Sequence, residues 1–248
     1  VRTPEQIRAR APALFAAALR TVQVRTDRLF AGLMLAQWMG AIVVAITVSP
    51  RAWSNYPWAL RSGPHVDPVA LALWLGGLLA SVPALGVLLR PGAVSTRHVV
   101  AACQLLTSVL LAHLVAGRIE VYFHVFVSLA FLSLYRDWRV LATACVTISA
   151  SSLLLAHWSP VSVYGTSVAP WWRTGEHAAW MVFEALVLGV SVHLARRDHA
   201  RVSPAVGPAP CQPARGRAAG PHADARTEHQ RGAPPHAHGV GANRHLRD

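Results

Sequence analysis

Residues 112–139, AHLVAGRIEVYFHVFVSLAFLSLYRDWR, decide how the rest of the chain is read. Two apolar runs meet at a short polar elbow, Gly117-Arg118-Ile119-Glu120. Only a helix satisfies all its own backbone hydrogen bonds within one segment of hydrocarbon, so the pattern is that of two membrane helices folding back on each other. His113 stands just before the elbow, and Glu120 and His124 just after it. Groups able to bind a proton or a metal therefore gather where the helices turn. A second polar turn, Tyr135-Arg136-Asp137-Trp138-Arg139, closes the other end of the second run.

Working outward, the same alternation governs most of the chain. Hydrophobic residues make up 53% of the 248 and charged residues only 14%, where a soluble protein carries roughly a quarter charged. The charges crowd into 1–28, the connectors and the tail, leaving long uncharged segments between. Six spans are expected, at 29–49, 69–89, 98–115, 121–135, 140–156 and 176–194. At about 1.5 Å per residue most of them reach across roughly 30 Å of hydrocarbon; the fourth is short. Pro50 ends the first and Pro83 sits inside the second. The connectors 51–68 and 157–175 carry Trp53, Tyr56, Trp58, Trp158, Tyr164, Trp171 and Trp172, as interfacial belts do.

All 23 basic residues are arginine. Twelve of those outside the tail fall on one side of the threaded chain, against Arg51, Arg61, Arg118 and Arg173 on the other. The positive-inside rule then places both termini in the cytoplasm. A net charge of +12 invites a nucleic-acid reading, but the arginines flank apolar segments or lie in a tail with no aromatic residue to stack on bases, so no nucleic acid is expected as a partner. Cys103, Cys145 and Cys211 have no CxxC spacing and read as small hydrophobes.

The expected fold is thus all-α and polytopic, in three parts. Residues 1–28 form a basic amphipathic juxtamembrane helix on the membrane surface, with Thr3, Pro4 and Gln6 as its capping signal. Residues 29–197 form the six-helix membrane domain. Residues 198–248, rich in alanine, glycine, proline and arginine, form a disordered tail. Such text is what a GC-rich gene yields when read out of frame, so the tail is expected to be a frameshifted remnant.

This threading puts His113, Glu120, His124, His157, Glu176 and His177 near the outer side, with Glu184 two turns deeper. Each costs about 2–3 kcal/mol in hydrocarbon unless paired. Glu120, His124 and Ser128 are spaced i, i+4, i+8, and His177, Trp180 and Glu184 i, i+3, i+7, one stripe on each helix. Where two such stripes meet, His113, Glu120, His124, His177 and Glu184 make a candidate ligand or metal site, with His157 and Glu176 secondary. The donor set suits zinc, copper, iron or a haem axial position and does not choose among them. The plain alternative, of equal weight, is that these groups hydrogen-bond one another and fix helix register. Arg136, Asp137, Trp138 and Arg139 are either a cytoplasmic hinge coupling spans four and five or, slightly favoured, a tight turn with charge anchors.

The runs GRIEVYFHVFVSLAFLSLYRDWRVL, SPVSVYG and WWRTGEHAAWMVFE, with TDRLFAGLMLAQW and LLRPGAVSTRH upstream, resemble the multi-spanning sensory domain at the front of some bacterial sensor histidine kinases and chemotaxis-type receptors. The resemblance covers about 26–197. It implies a sensory input domain in the bacterial inner membrane, paired as a homodimer with membrane lipid around it, and it matches His113, Glu120, His124, Glu176, His177 and Glu184 to the polar positions of the pattern. The chain departs at Ser151-Ser152, where the pattern has an Asp-His pair, and at Ala185, where it has an acid. No phosphoacceptor-histidine helix or ATP-lid glycine pattern follows Arg197, so the chain by itself is not expected to be an enzyme. The stimulus is expected to be extracytoplasmic or membrane-soluble. The rival readings are a membrane redox enzyme and a small transporter using the same histidines and carboxylates.

Overall fold

The computed structural model describes residues 4–57, 67–166, 168 and 171–202. Every regular element among them is helical: α1 (Pro4–Thr47), α2 (Ser49–Ser54), α3 (Pro68–Leu89), α4 (Val94–Leu114), α5 (Val121–Leu132) with a 3-10 turn at Ser133–Tyr135, α6 (Trp138–Trp158), α7 (Pro160–Tyr164) and α8 (Trp171–Val202). The expected tail beyond 202 and the connector residues 58–66 lie outside the described residues.

Among the described residues, five stretches are long and apolar enough to cross a membrane: Pro12–Thr47, Pro68–Leu89, Val94–Leu114, Trp138–Trp158 and Trp172–Arg197. The apolar helix over Val121–Tyr135 is shorter. Large apolar side chains stand on the outside of these helices, among them Trp74 at 81% exposure, Leu88, Phe123, Val146 and Leu186. Exposed apolar surface of that kind is compatible with a multi-pass membrane protein, whose helices face hydrocarbon.

Local sequence sets the helix ends. Asp67 caps α3 by accepting from the Val69 and Ala70 N–H groups, with Pro68 in the first turn, where its missing N–H is no loss. Asp137 caps α6 in the same way through the Arg139 N–H. Gly92, at φ +76°, makes the turn from α3 into α4. One boundary differs from expectation. The surface helix over 1–28 and the first span are a single helix, α1, without a break near residue 28. The polar run Arg25-Thr26-Asp27-Arg28 changes what surrounds the helix, but none of these residues breaks its backbone.

Side-chain bonds fix how the helices run. The Trp38 indole N–H donates to the Ala72 carbonyl at 3.1 Å, and the Gly92 N–H donates to Asp27 at 2.6 Å. α1 and α3 are therefore antiparallel. Gly76 and Gly77 let them approach: a Cβ at Gly76 would stand 2.9 Å from the Trp38 ring, the small-residue contact by which membrane helices pack closely. Gln104 meets Ser128 and Ser108 meets His124, so α4 and α5 are antiparallel. His98 meets Thr143 at 2.7 Å, both near the start of their helices, so α4 and α6 are parallel. Phe30, Met34, Leu105, Leu114, Leu129, Leu132, Tyr135 and Leu141 fill the shared core.

Candidate functional site

The elbow at Gly117-Arg118-Ile119-Glu120 is the hub of one end of the bundle. Ala116 and Gly117 take consecutive left-handed conformations, φ 53° and 70°, and the Gly117 N–H returns to the Ala112 carbonyl at 2.9 Å to close α4. A Cβ on Gly117 would collide with the Gly165 N–H and the Val161 carbonyl, so α7 lies directly against the elbow backbone. From α2, the Trp53 N–H donates to the His113 carbonyl at 3.0 Å, and the two rings pack 5.2 Å apart. The His113 Nδ1 pairs with the Ser162 hydroxyl at 2.8 Å. Tyr56 donates to the Gly165 carbonyl at 2.8 Å and Tyr122 to the Val163 carbonyl at 2.6 Å. Tyr164 pairs with Thr174 at 2.6 Å, and the His177 ring packs on Tyr122 at 4.2 Å. These bonds form one cap that ties α2, α4, α5, α7 and α8 together.

Deeper in the bundle is a second polar group. The His124 Nδ1 meets the Ser108 hydroxyl at 2.8 Å and its Nε2 meets the Gln37 amide nitrogen at 3.1 Å. The Gln104 amide donates to Ser128 at 3.0 Å. The side-chain oxygens of Gln37 and Gln104 are buried without a partner. The chain links α1, α4 and α5 and fixes their register.

Among the described residues no three of the expected acids and imidazoles come together. Glu120 is the N-cap residue of α5, and its side chain makes no cap bond. It is exposed and paired with Arg118 at 2.8 Å. The hydrogen bond from Arg118 holds the Glu120 carboxyl below the usual carboxylate range, and the same bond raises the Arg118 guanidinium. His113, His124 and His177 each face different neighbours. His157 is exposed at the end of α6 and Glu176 is exposed on α8. Glu184 keeps one buried carboxylate oxygen without a partner. Among the described residues no three His, Cys, Asp or Glu side chains come close enough to hold a metal ion. His177 lines a gap of about 30 Å³, room for a water or two and far short of a porphyrin. The gap beside His177 therefore does not fit a porphyrin, and the described residues present no three-ligand metal site.

The opposite end carries a site the sequence reading missed. Asp27 is fully buried, and its two oxygens accept from the Tyr135 hydroxyl at 2.7 Å and the Gly92 N–H at 2.6 Å. The Phe30 ring stacks on Tyr135 at 5.6 Å. Arg97 pairs with Asp137 at 2.9 Å, both largely withdrawn from solvent. Three polar stretches, TDRLF, LLRPGAVSTRH and LYRDWR, meet here. The only sequence signal was an acid among arginines one turn before an apolar run. In the turn between α5 and α6, Arg136 takes a left-handed conformation at φ 54°, Asp137 both caps α6 and holds Arg97, and Arg139 lies 6.0 Å from the Trp138 ring. That is the geometry of an anchored tight turn. Compared with protein-family models, with curated proteins and with solved structures, the chain finds no match.

Proposed function

We propose that the chain is the membrane-embedded sensory input domain of a bacterial signal-transduction protein of the histidine-kinase or chemoreceptor type. In this reading it crosses the inner membrane six times, with α5 as the fourth crossing and the elbow cap on the extracytoplasmic side. The apolar stretch Val121–Tyr135 covers only about 22 Å at 1.5 Å per residue, so its ends have to sit at the hydrocarbon boundary. The exposed Arg118–Glu120 pair at one end and Trp138 with Arg139 at the other are groups suited to that boundary.

The observation that carries the proposal is α8. It begins in the cap, where Tyr164 holds Thr174 and Tyr122 packs on His177. It then runs unbroken to Val202, and its apolar stretch is the least buried of the five. A helix gripped at one end and loosely packed along its length shifts as one piece. A stimulus that binds one arrangement of the cap better than another then moves the far end of the helix. The Gln37–His124–Ser108 chain and the Asp27–Tyr135 bond hold α1, α4 and α5 as the body against which α8 moves. The resemblance of these stretches to receptor sensory domains supports the same reading. The rival reading of a redox enzyme built on a metal held by these histidines and carboxylates has no three-ligand group behind it among the described residues.

The test is disulfide crosslinking through α8 in membranes. With Cys103, Cys145 and Cys211 changed to alanine, a single cysteine at Val190 or Leu194 is expected to give a crosslinked dimer. Tyr122→Phe, which removes the bond to Val163, is expected to change the crosslinking rate several-fold. Rates that ignore the cap variant, or no dimer at either position, contradict the proposal.

A further inference from the structure

We infer that the cleft between α2 and the elbow binds a small organic anion. Its carboxylate or phosphate is held between the guanidiniums of Arg51 and Arg118, and its apolar part lies on Val48, Ala52, Val115 and Ala116. The inference rests on the reading of the elbow end as the sensing face and names the chemistry that face would take.

The cleft has a volume of about 500 Å³ and is also lined by Thr47, Asn55 and Tyr56. Pockets that hold small molecules fall in the range of roughly 300–1,000 Å³. Its lining carries two arginines and no acid, with Glu120 sharing the Arg118 charge. Arg51 gives one N–H to the Thr47 carbonyl at 3.3 Å, and no carboxylate pairs with it among the described residues. Arg118 uses its Nε and Nη2 on Glu120. A guanidinium carries five N–H donors, so most donors of the two side chains stay open to an incoming anion. Planar pairs of donors on two arginines suit a carboxylate or phosphate better than a point charge such as chloride.

The floor of the cleft is rigid. Ala116 is 3% exposed and left-handed, a conformation costly for a residue with a Cβ and kept only where the surroundings enforce it. Here α7 and the Trp53 bond enforce it. A floor fixed before binding loses little freedom on binding. The two arginines also come from different elements: Arg51 from α2, which follows the first span, and Arg118 from the link between α4 and α5. An anion bridging them ties those elements together. Tyr56, on the same wall, reaches α7 through Gly165, and α7 holds α8 through Tyr164 and Thr174.

The experiment uses the full chain in phosphatidylcholine nanodiscs, titrated with benzoate and with phenyl phosphate and read by saturation-transfer NMR of the ligand. At least one anion is expected to bind saturably, and neutral benzyl alcohol is not. Arg51→Gln is expected to weaken binding at least tenfold, and so is the double variant Arg118→Gln/Glu120→Gln, which removes one charge of each sign. Repeating the titration in discs containing phosphatidylglycerol separates two sources of the anion. Loss of binding there makes a lipid headgroup the natural occupant, and unchanged binding makes it a water-borne anion. No saturable binding of either probe, or binding that survives both variants, overturns the site. Binding that leaves α8 crosslinking unaltered keeps the site and contradicts the sensory reading alone.

Discussion

Asp27 shows how a single residue can be costly and indispensable at once. A carboxylate buried without partners is among the least favourable groups in any fold. Here both oxygens are satisfied, one by a hydroxyl and one by a backbone N–H. Removing one donor leaves the carboxylate in place and unsatisfied. Tyr135→Phe keeps the ring that stacks on Phe30 and deletes only the hydroxyl. It is expected to destabilise the folded chain by about 1–3 kcal/mol, seen as a lower Tm in detergent. An unchanged Tm would mean that Tyr135 contributes through its ring alone. Nothing in the sequence around Asp27 points to Tyr135 or Gly92, because the bond spans 108 positions in one case and 65 in the other. Only the folded bundle brings them together.

At the scale of elements, the legible features were those written locally. The polar turn Tyr135-Arg136-Asp137-Trp138-Arg139 was legible as a stop between two helices, and α6 begins inside it at Trp138; the caps made by Asp67 and Asp137 were not read. Segments of uncharged residues announced the long helices. Charge misled at α1, since arginines report contact with water or headgroups and do not interrupt a helix. The stripe through Glu120, His124 and Ser128 misled differently. His124 and Ser128 do face the interior, but Glu120, one turn earlier, is exposed and held by Arg118 outside the bundle. Spacing also cannot say which helix a stripe meets, and the stripes on α5 and α8 find different partners.

The elbow gives a sharp test at this scale. Gly117→Ala adds a Cβ that meets the backbone of α7 and imposes a left-handed conformation on alanine. It is expected to cost on the order of 4 kcal/mol, in the range reserved for forced repacking of buried backbone. Gly175→Ala is the control, because a Cβ there has open space around it inside α8. That change is expected to stabilise by up to about 1 kcal/mol. Equal effects of the two substitutions on Tm would show that α7 does not rest on the elbow.

For the whole molecule, the two ends of the bundle are built differently. One end is a cap of neutral hydrogen bonds among tryptophan, tyrosine, histidine and serine, with an arginine-lined cleft beside it. The other is held by a buried carboxylate and an arginine–aspartate pair. Long helices alternate between these ends, so the side on which each end lies fixes the meaning of everything else. The most direct test labels single cysteines in intact cells with a membrane-impermeant maleimide, on a background with Cys103, Cys145 and Cys211 changed to alanine. Ile119→Cys is expected to react from outside, and Trp138→Cys only after permeabilisation. The reverse pattern, with position 138 labelled from outside and 119 protected, would place the cap and its cleft in the cytoplasm and contradict the account.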